Sequence, residues 1–125
     1  MCSSDLDEAE ELTRLSEELA APDDLASQIG WRSVRAKVLA RRGELAEAVR
    51  MAMEAVEIAA GTDGIEWQAD ALVDLAEVLR LAGRRDEAAL RLEEALRLYE
   101  AKGVVPAVER TRALLEEVAQ PPATA

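Results

Sequence analysis

Adjacent carboxylates recur along the chain, at Glu10/Glu11, Glu17/Glu18, Asp23/Asp24, Glu93/Glu94 and Glu116/Glu117. Carboxylate pairs move protons in hydrolysis or hold a divalent cation. On a helix, however, successive side chains point about 100° apart, so sequence neighbours cannot converge on one proton or ion. The pairs read instead as solvated faces. Nucleophilic chemistry is no better served. There is no histidine to activate a serine or cysteine, and the single Cys2 supports neither a disulfide framework nor a thiolate zinc cluster. Neither GxxxxGK[ST] nor GxGxxG is present to cradle phosphates. The chain is expected to be noncatalytic, with no cofactor and no metal.

Charge narrows the partners. Fifteen basic residues against 26 acidic ones leave a net charge of -11, which repels phosphate backbones and anionic lipid. No nucleic acid and no membrane are expected as partners. No apolar run reaches the ~20 residues needed to span a bilayer, and the N-terminus lacks a signal peptide's charged start and apolar centre. Cys2, preceded only by Met1, is expected to be an inert thiol, and the cytoplasm is the expected location. The basic pairs Arg41-Arg42 and Arg84-Arg85 fall at helix ends, where cations face orphan carbonyls. Asp23-Asp24 and Asp86-Glu87 fall in first turns, where negative charge suits the dipole. Glu87 with Arg91 and Glu93 with Arg97 are spaced for helical ion pairs of ~0.3–0.5 kcal/mol each.

The elements carrying these groups are helices. Apolar residues make up 50% of the chain, yet only two tryptophans and one tyrosine are aromatic, a composition suited to closely packed helices. A 40-residue shift aligns Trp31–Ala60 with Ala71–Glu100, matching Ala36/Ala76, Val38/Val78, Leu39/Leu79, Gly43/Gly83, Glu47/Glu87, Ala48/Ala88, Glu54/Glu94 and Ala55/Ala95. Apolar spacing places helices at about Asp23 to Arg42, Glu44 to Ala60, Asp63 to Ala82 and Glu87 to Ala101. Asp63 caps the third of these, and Gly43 and Gly83 supply the left-handed residue that stops a helix. Flanking helices run from about Asp5 to Ala20, carrying Leu6, Ala9, Leu12, Leu15 and Leu19, and from about Pro106 to Ala119. The expected organisation is an N-terminal helix in residues 1–22, repeats at 23–62 and 63–103, a capping helix at 104–119 and a disordered tail at 120–125. Trp31 and Trp67 are expected to fill seams between helix pairs, and Tyr99 the seam before the last helix with its hydroxyl at the rim.

This unit resembles the tetratricopeptide repeat. In that family a small residue in the first helix lets the second pack closely, a glycine or similar residue makes the turn, and alanines in the second helix sit at the crossings. Ala36 and Ala76 match the first feature, Gly43 and Gly83 the turn, and Ala48/Ala55 and Ala88/Ala95 the alanines. The period is 40 rather than about 34, and Arg32, Leu72, Ala52 and Leu92 stand where the family often has larger residues. The resemblance implies an all-α fold, a right-handed α-solenoid of about six antiparallel helices. The string from Leu72 to Gly103 also resembles the C-terminal repeats of large actinobacterial regulators, where repeats follow a nucleotide-cyclase or ATPase domain.

Two surfaces are expected to act. Ser33, Lys37, Ala40 and Arg41 in one unit and Val73, Glu77, Arg80 and Leu81 in the next are expected to be exposed along a groove, with Val34 and Asp74 inside it. This groove suits an amphipathic helix, or an extended peptide placing a basic residue near Glu77. Asp7-Glu8-Ala9 resembles the start of a second repeat helix whose first helix is missing, so Leu12, Leu15 and Leu19 should stay uncovered and take an upstream domain, a second copy or another protein. The expected function is a noncatalytic protein-interaction module that binds a partner segment or a second copy of itself. The alternative is the regulatory C-terminal tail of a larger signalling enzyme or transcription regulator.

Overall fold

The computed structural model describes residues 3–119. Cys2 and the tail at 120–125 lie outside them. Six helices follow one another: α1 (Ser3–Leu19), α2 (Leu25–Arg41), α3 (Leu45–Ala60), α4 (Ile65–Leu81), α5 (Arg85–Lys102) and α6 (Val105–Ala119). Each packs on its sequence neighbour, and α2 also packs directly on α4. The first helices α2, α4 and α6 thus form one layer and the second helices α1, α3 and α5 the other.

Both glycine stops operate as expected. Gly43 and Gly83 take φ +86° and +79°, and the residues that follow them close the turn, Glu44 N donating to Leu39 O at 2.9 Å and Arg84 N to Leu79 O at 2.8 Å. A side chain at either position would be strained in this left-handed conformation, which glycine adopts freely. At the other end of α2, Asp24 accepts from Ser27 N at 3.3 Å. Asp63 does not cap α4. Its first turn begins at Gly64, and Thr62 organises the approach instead, its Oγ1 accepting from Gly64 N at 3.1 Å while its carbonyl accepts from Gln68 at 2.8 Å.

The internal repeat is visible in the packing. Ile29, Ala55, Ala59 and Ala71 form one buried cluster, and 40 residues on Ala69, Ala95 and Tyr99 recur in another, joined by Leu72 and Ala107. The equivalent of Ala71 is Thr111, whose burial is tolerated because its hydroxyl donates to Ala107 O at 2.7 Å. Alanine on second helices lets first helices come within direct packing distance. Ala48, Ala52 and Ala88 of the second helices lie in the main core with Ala36 and Ala76 of the first, beside Leu75 and Leu92.

Candidate interaction surfaces

The first helices lie side by side along a groove, and their positions follow the repeat. Stepping by 40 residues, Gly30, Asp70 and Arg110 occupy one position, Ser33, Val73 and Ala113 the next, then Val34, Asp74 and Leu114, and finally Lys37, Glu77 and Glu117. Between α2 and α4 the groove is clamped shut. Lys37 Nζ lies 3.1 Å from Asp74 Oδ1, and Arg41 Nη2 lies 3.3 Å from Glu77 Oε2. One repeat later the same diagonals read Glu77 to Leu114 and Leu81 to Glu117, which hold no opposite charges. There α4 and α6 are joined mainly through α5, and a cavity of about 720 Å³ opens between them.

That cavity has an acidic wall and an apolar floor. Asp70, Asp74, Glu116 and Glu117 line it with Val73, Ala113, Leu114 and Tyr99, and Arg110 is its one lining cation. Tyr99 stands where α3 has Ala59, and its bulk fills the wedge between α4 and α6. Its hydroxyl donates to Asp70. Burial, then that hydrogen bond and charge, push the phenol well above its ordinary value of 10.0. Burial likewise raises the Asp74 carboxyl, with Glu77 and Asp70 adding like charge, and Lys37 only partly offsets the rise. Along α4, Glu66, Asp70, Asp74 and Glu77 outnumber Arg80, the one basic residue of that helix.

Several expected groove residues stand elsewhere. Ser33 is only 5% exposed, because α2 is covered on one side by α3 and on the other by α4, and Ala40 is buried for the same reason. Lys37, Arg41 and Glu77 lie on the groove but are engaged with one another's helices. Val73 and Arg80 line the α4–α6 side, where a smaller recess of about 80 Å³ also involves Glu77, Leu114 and Val118. Val34 turns toward α1 rather than into the groove. The sequence assigns Tyr99 to this seam but marks no site role for Asp70, Arg110 or Leu114. Carrying the 40-residue step past Glu100 to α6 would have found Arg110 and Leu114.

The second surface is at α1. Leu12, Leu15 and Leu19 are 60%, 51% and 76% exposed, and Leu25 and Val34 of α2 are also uncovered. The opposite face of α1 is held to α2 by charge. Arg35 donates to Thr13 at 3.2 Å and Glu17 at 2.8 Å, and Arg42 pairs with Asp7 and, at 3.3 Å, Glu10. Trp31 is buried here against the Arg32 and Arg35 guanidiniums, 4.3 and 4.6 Å from its ring centre. Trp67 does not fill a seam: it is 44% exposed, lying against Gly64 at the start of α4.

Charges at the turns differ from expectation in a consistent way. Arg85 does meet orphan carbonyls, but those of Glu117 and Val118 at the end of α6, at 2.9 and 2.8 Å. Arg84, at a helix start with no cap oxygen, clamps Glu87. Arg91 therefore turns to Glu94 at 3.0 Å, and Glu93 and Arg97 form no ion pair among the described residues. No helix among the described residues is long and apolar enough to cross a membrane. A family model for the tetratricopeptide repeat matches residues 30–101. Comparison with curated proteins and with solved structures yields no match.

Proposed function

Since the chain belongs to the tetratricopeptide-repeat family, whose members generally mediate protein–protein interaction, we propose that it is a noncatalytic module whose α4–α6 cavity receives a partner segment carrying a basic residue flanked by apolar ones. The observation that carries this reading is the release of the clamp. Where Lys37 and Arg41 close α2 onto α4, nothing closes α4 onto α6, and the cavity left behind is acidic on its wall and apolar on its floor. A Lys or Arg from the partner faces the lining carboxylates Asp70, Asp74, Glu116 and Glu117, while apolar neighbours rest on Val73 and Leu114.

A display selection from randomised peptides tests it. Wild-type protein is expected to enrich sequences with Lys or Arg between apolar residues, and Asp74→Arg or Leu114→Arg to abolish that enrichment while the helical signal is kept. Enrichment of acidic peptides, or enrichment that survives both substitutions, would overturn the proposal.

A further inference from the structure

The cleft between α1 and α2 has the form of a helix seat. Ala9 aligns with Ala48 and Ala88, and in that register Ser16 aligns with Ala55 and Ala95. The four alanines are fully buried, covered by the first helix of their own pair, α2 on α3 and α4 on α5. Ala9 and Ser16 have no such cover among the described residues. With Leu12 and Thr13 of α1 and Ser27, Gly30, Trp31 and Val34 of α2, they line an open cleft of about 360 Å³.

The molecule itself shows what fills such a seat. Helix α2 rests on α3 and α4 by its buried Ala36 and Leu39, and its cations pair with Glu54 at 3.2 Å, Asp74 and Glu77. Residues 25–42 hold five basic side chains and no acidic one. The empty counterpart is more apolar, since Leu15 and Val34 replace Glu54 and Asp74, and its rim is acidic, with Glu8, Glu18 and Glu11, the last also 3.5 Å from Arg14, beside the exposed leucines.

Two other occupants fit poorly. A second copy pairing through α1 would set Glu8, Glu11 and Glu18 against the same charges, and the whole chain carries -11. End-to-end stacking would offer α6, whose positions equivalent to Leu72 and Ala76 are the charged Arg112 and Glu116. We propose that the α1–α2 cleft docks a basic amphipathic helix of a partner protein, seated as α2 is on α3 and α4. Its apolar stripe covers Leu12, Leu15, Leu19 and Val34, and its cations face Glu8, Glu11 and Glu18.

The probe is a synthetic peptide of residues 25–42, fluorescently tagged, titrated with the full chain and read by anisotropy. Binding is expected at roughly 10–100 µM in low salt. It should weaken about tenfold in Leu15→Asp or Ser16→Arg, and again on raising salt to about 0.5 M. Both positions are exposed, and circular dichroism verifies that the helices persist in each variant. Absence of binding, or binding indifferent to both substitutions, overturns the proposal. So does a peptide that invades the α3–α4 seat, recognised by sensitivity to Asp74→Asn but not to Leu15→Asp. A chain that sediments as a dimer dispersed by Leu15→Asp also overturns it, in favour of a second copy.

Discussion

Truncating Leu75 to alanine tests the stack at its centre. Leu75 is 0% exposed on α4, in the core shared by α2, α3, α4, α5 and α6. The substitution removes three methylene equivalents, about 2.4 kcal/mol at ~0.8 kcal/mol each. Helices tied at both ends cannot collapse fully into the void, so a cavity term brings the cost to about 3–4 kcal/mol. Against the 5–15 kcal/mol typical of a domain this is a large share, and Tm should fall by roughly 10 °C. Urea unfolding followed by far-ultraviolet circular dichroism measures it. Leu90→Ala is the control, because Leu90 is 60% exposed and its loss should stay within about 0.5 kcal/mol. A Leu75→Ala cost below about 1 kcal/mol, or one equal to that of Leu90→Ala, would refute the packing described for α4.

Three further expectations concern single groups. Tyr99 is the chain's one tyrosine, so tyrosinate absorbance reports it alone. Because its pKa is raised on folding, the stabilisation is complete below 10.0 and is lost as pH climbs through the folded value. The absorbance midpoint should lie well above 10 and move back toward it in Asp70→Asn, and a wild-type midpoint at the ordinary value would contradict the burial and hydrogen bond described. Gly83→Ala, at φ +79°, should cost about 1 kcal/mol in urea unfolding, whereas Gly61→Ala, with φ −81°, should change stability by less than about half of that. Arg85→Ala should cost about 0.5–1.5 kcal/mol and speed amide exchange in the last turn of α6, since the Glu117 and Val118 carbonyls lose their donor. Unchanged exchange there would remove Arg85 from that role.

Much of the fold was legible because repetition exposes it. Gly43 and Gly83 mark helix stops on chemistry alone, and Ala48, Ala55, Ala88 and Ala95 mark the crossings because a small residue recurs where two backbones approach. Features that depend on layers were harder to read. Ser33 looks like a surface residue along α2, and only the simultaneous cover of α3 and α4 buries it. The diagonal clamps join residues 36 and 37 positions apart, a spacing no single-helix rule contains. Position 35 shows the limit of repeat matching. Leu75 of α4 is core, while its equivalent Arg35 faces acidic α1, where it bonds Thr13 and Glu17 and leaves Nη2 buried without a partner. The register survives there although the chemistry inverts. The α4–α6 cavity is hidden for a similar reason: in sequence α6 looks like a cap, and the substitution of Tyr99 for Ala59 gains meaning only once α6 continues the layer.

A selected basic peptide can be mapped onto the chain by backbone amide shifts in heteronuclear NMR spectra. The largest changes are expected on α4 and α6 around Asp70, Val73, Asp74, Arg110 and Leu114, and binding should weaken as pH falls and the raised Asp74 carboxyl takes up a proton. Changes confined to the outer faces of α3 and α5, or affinity that ignores acidification, would contradict docking in the α4–α6 cavity.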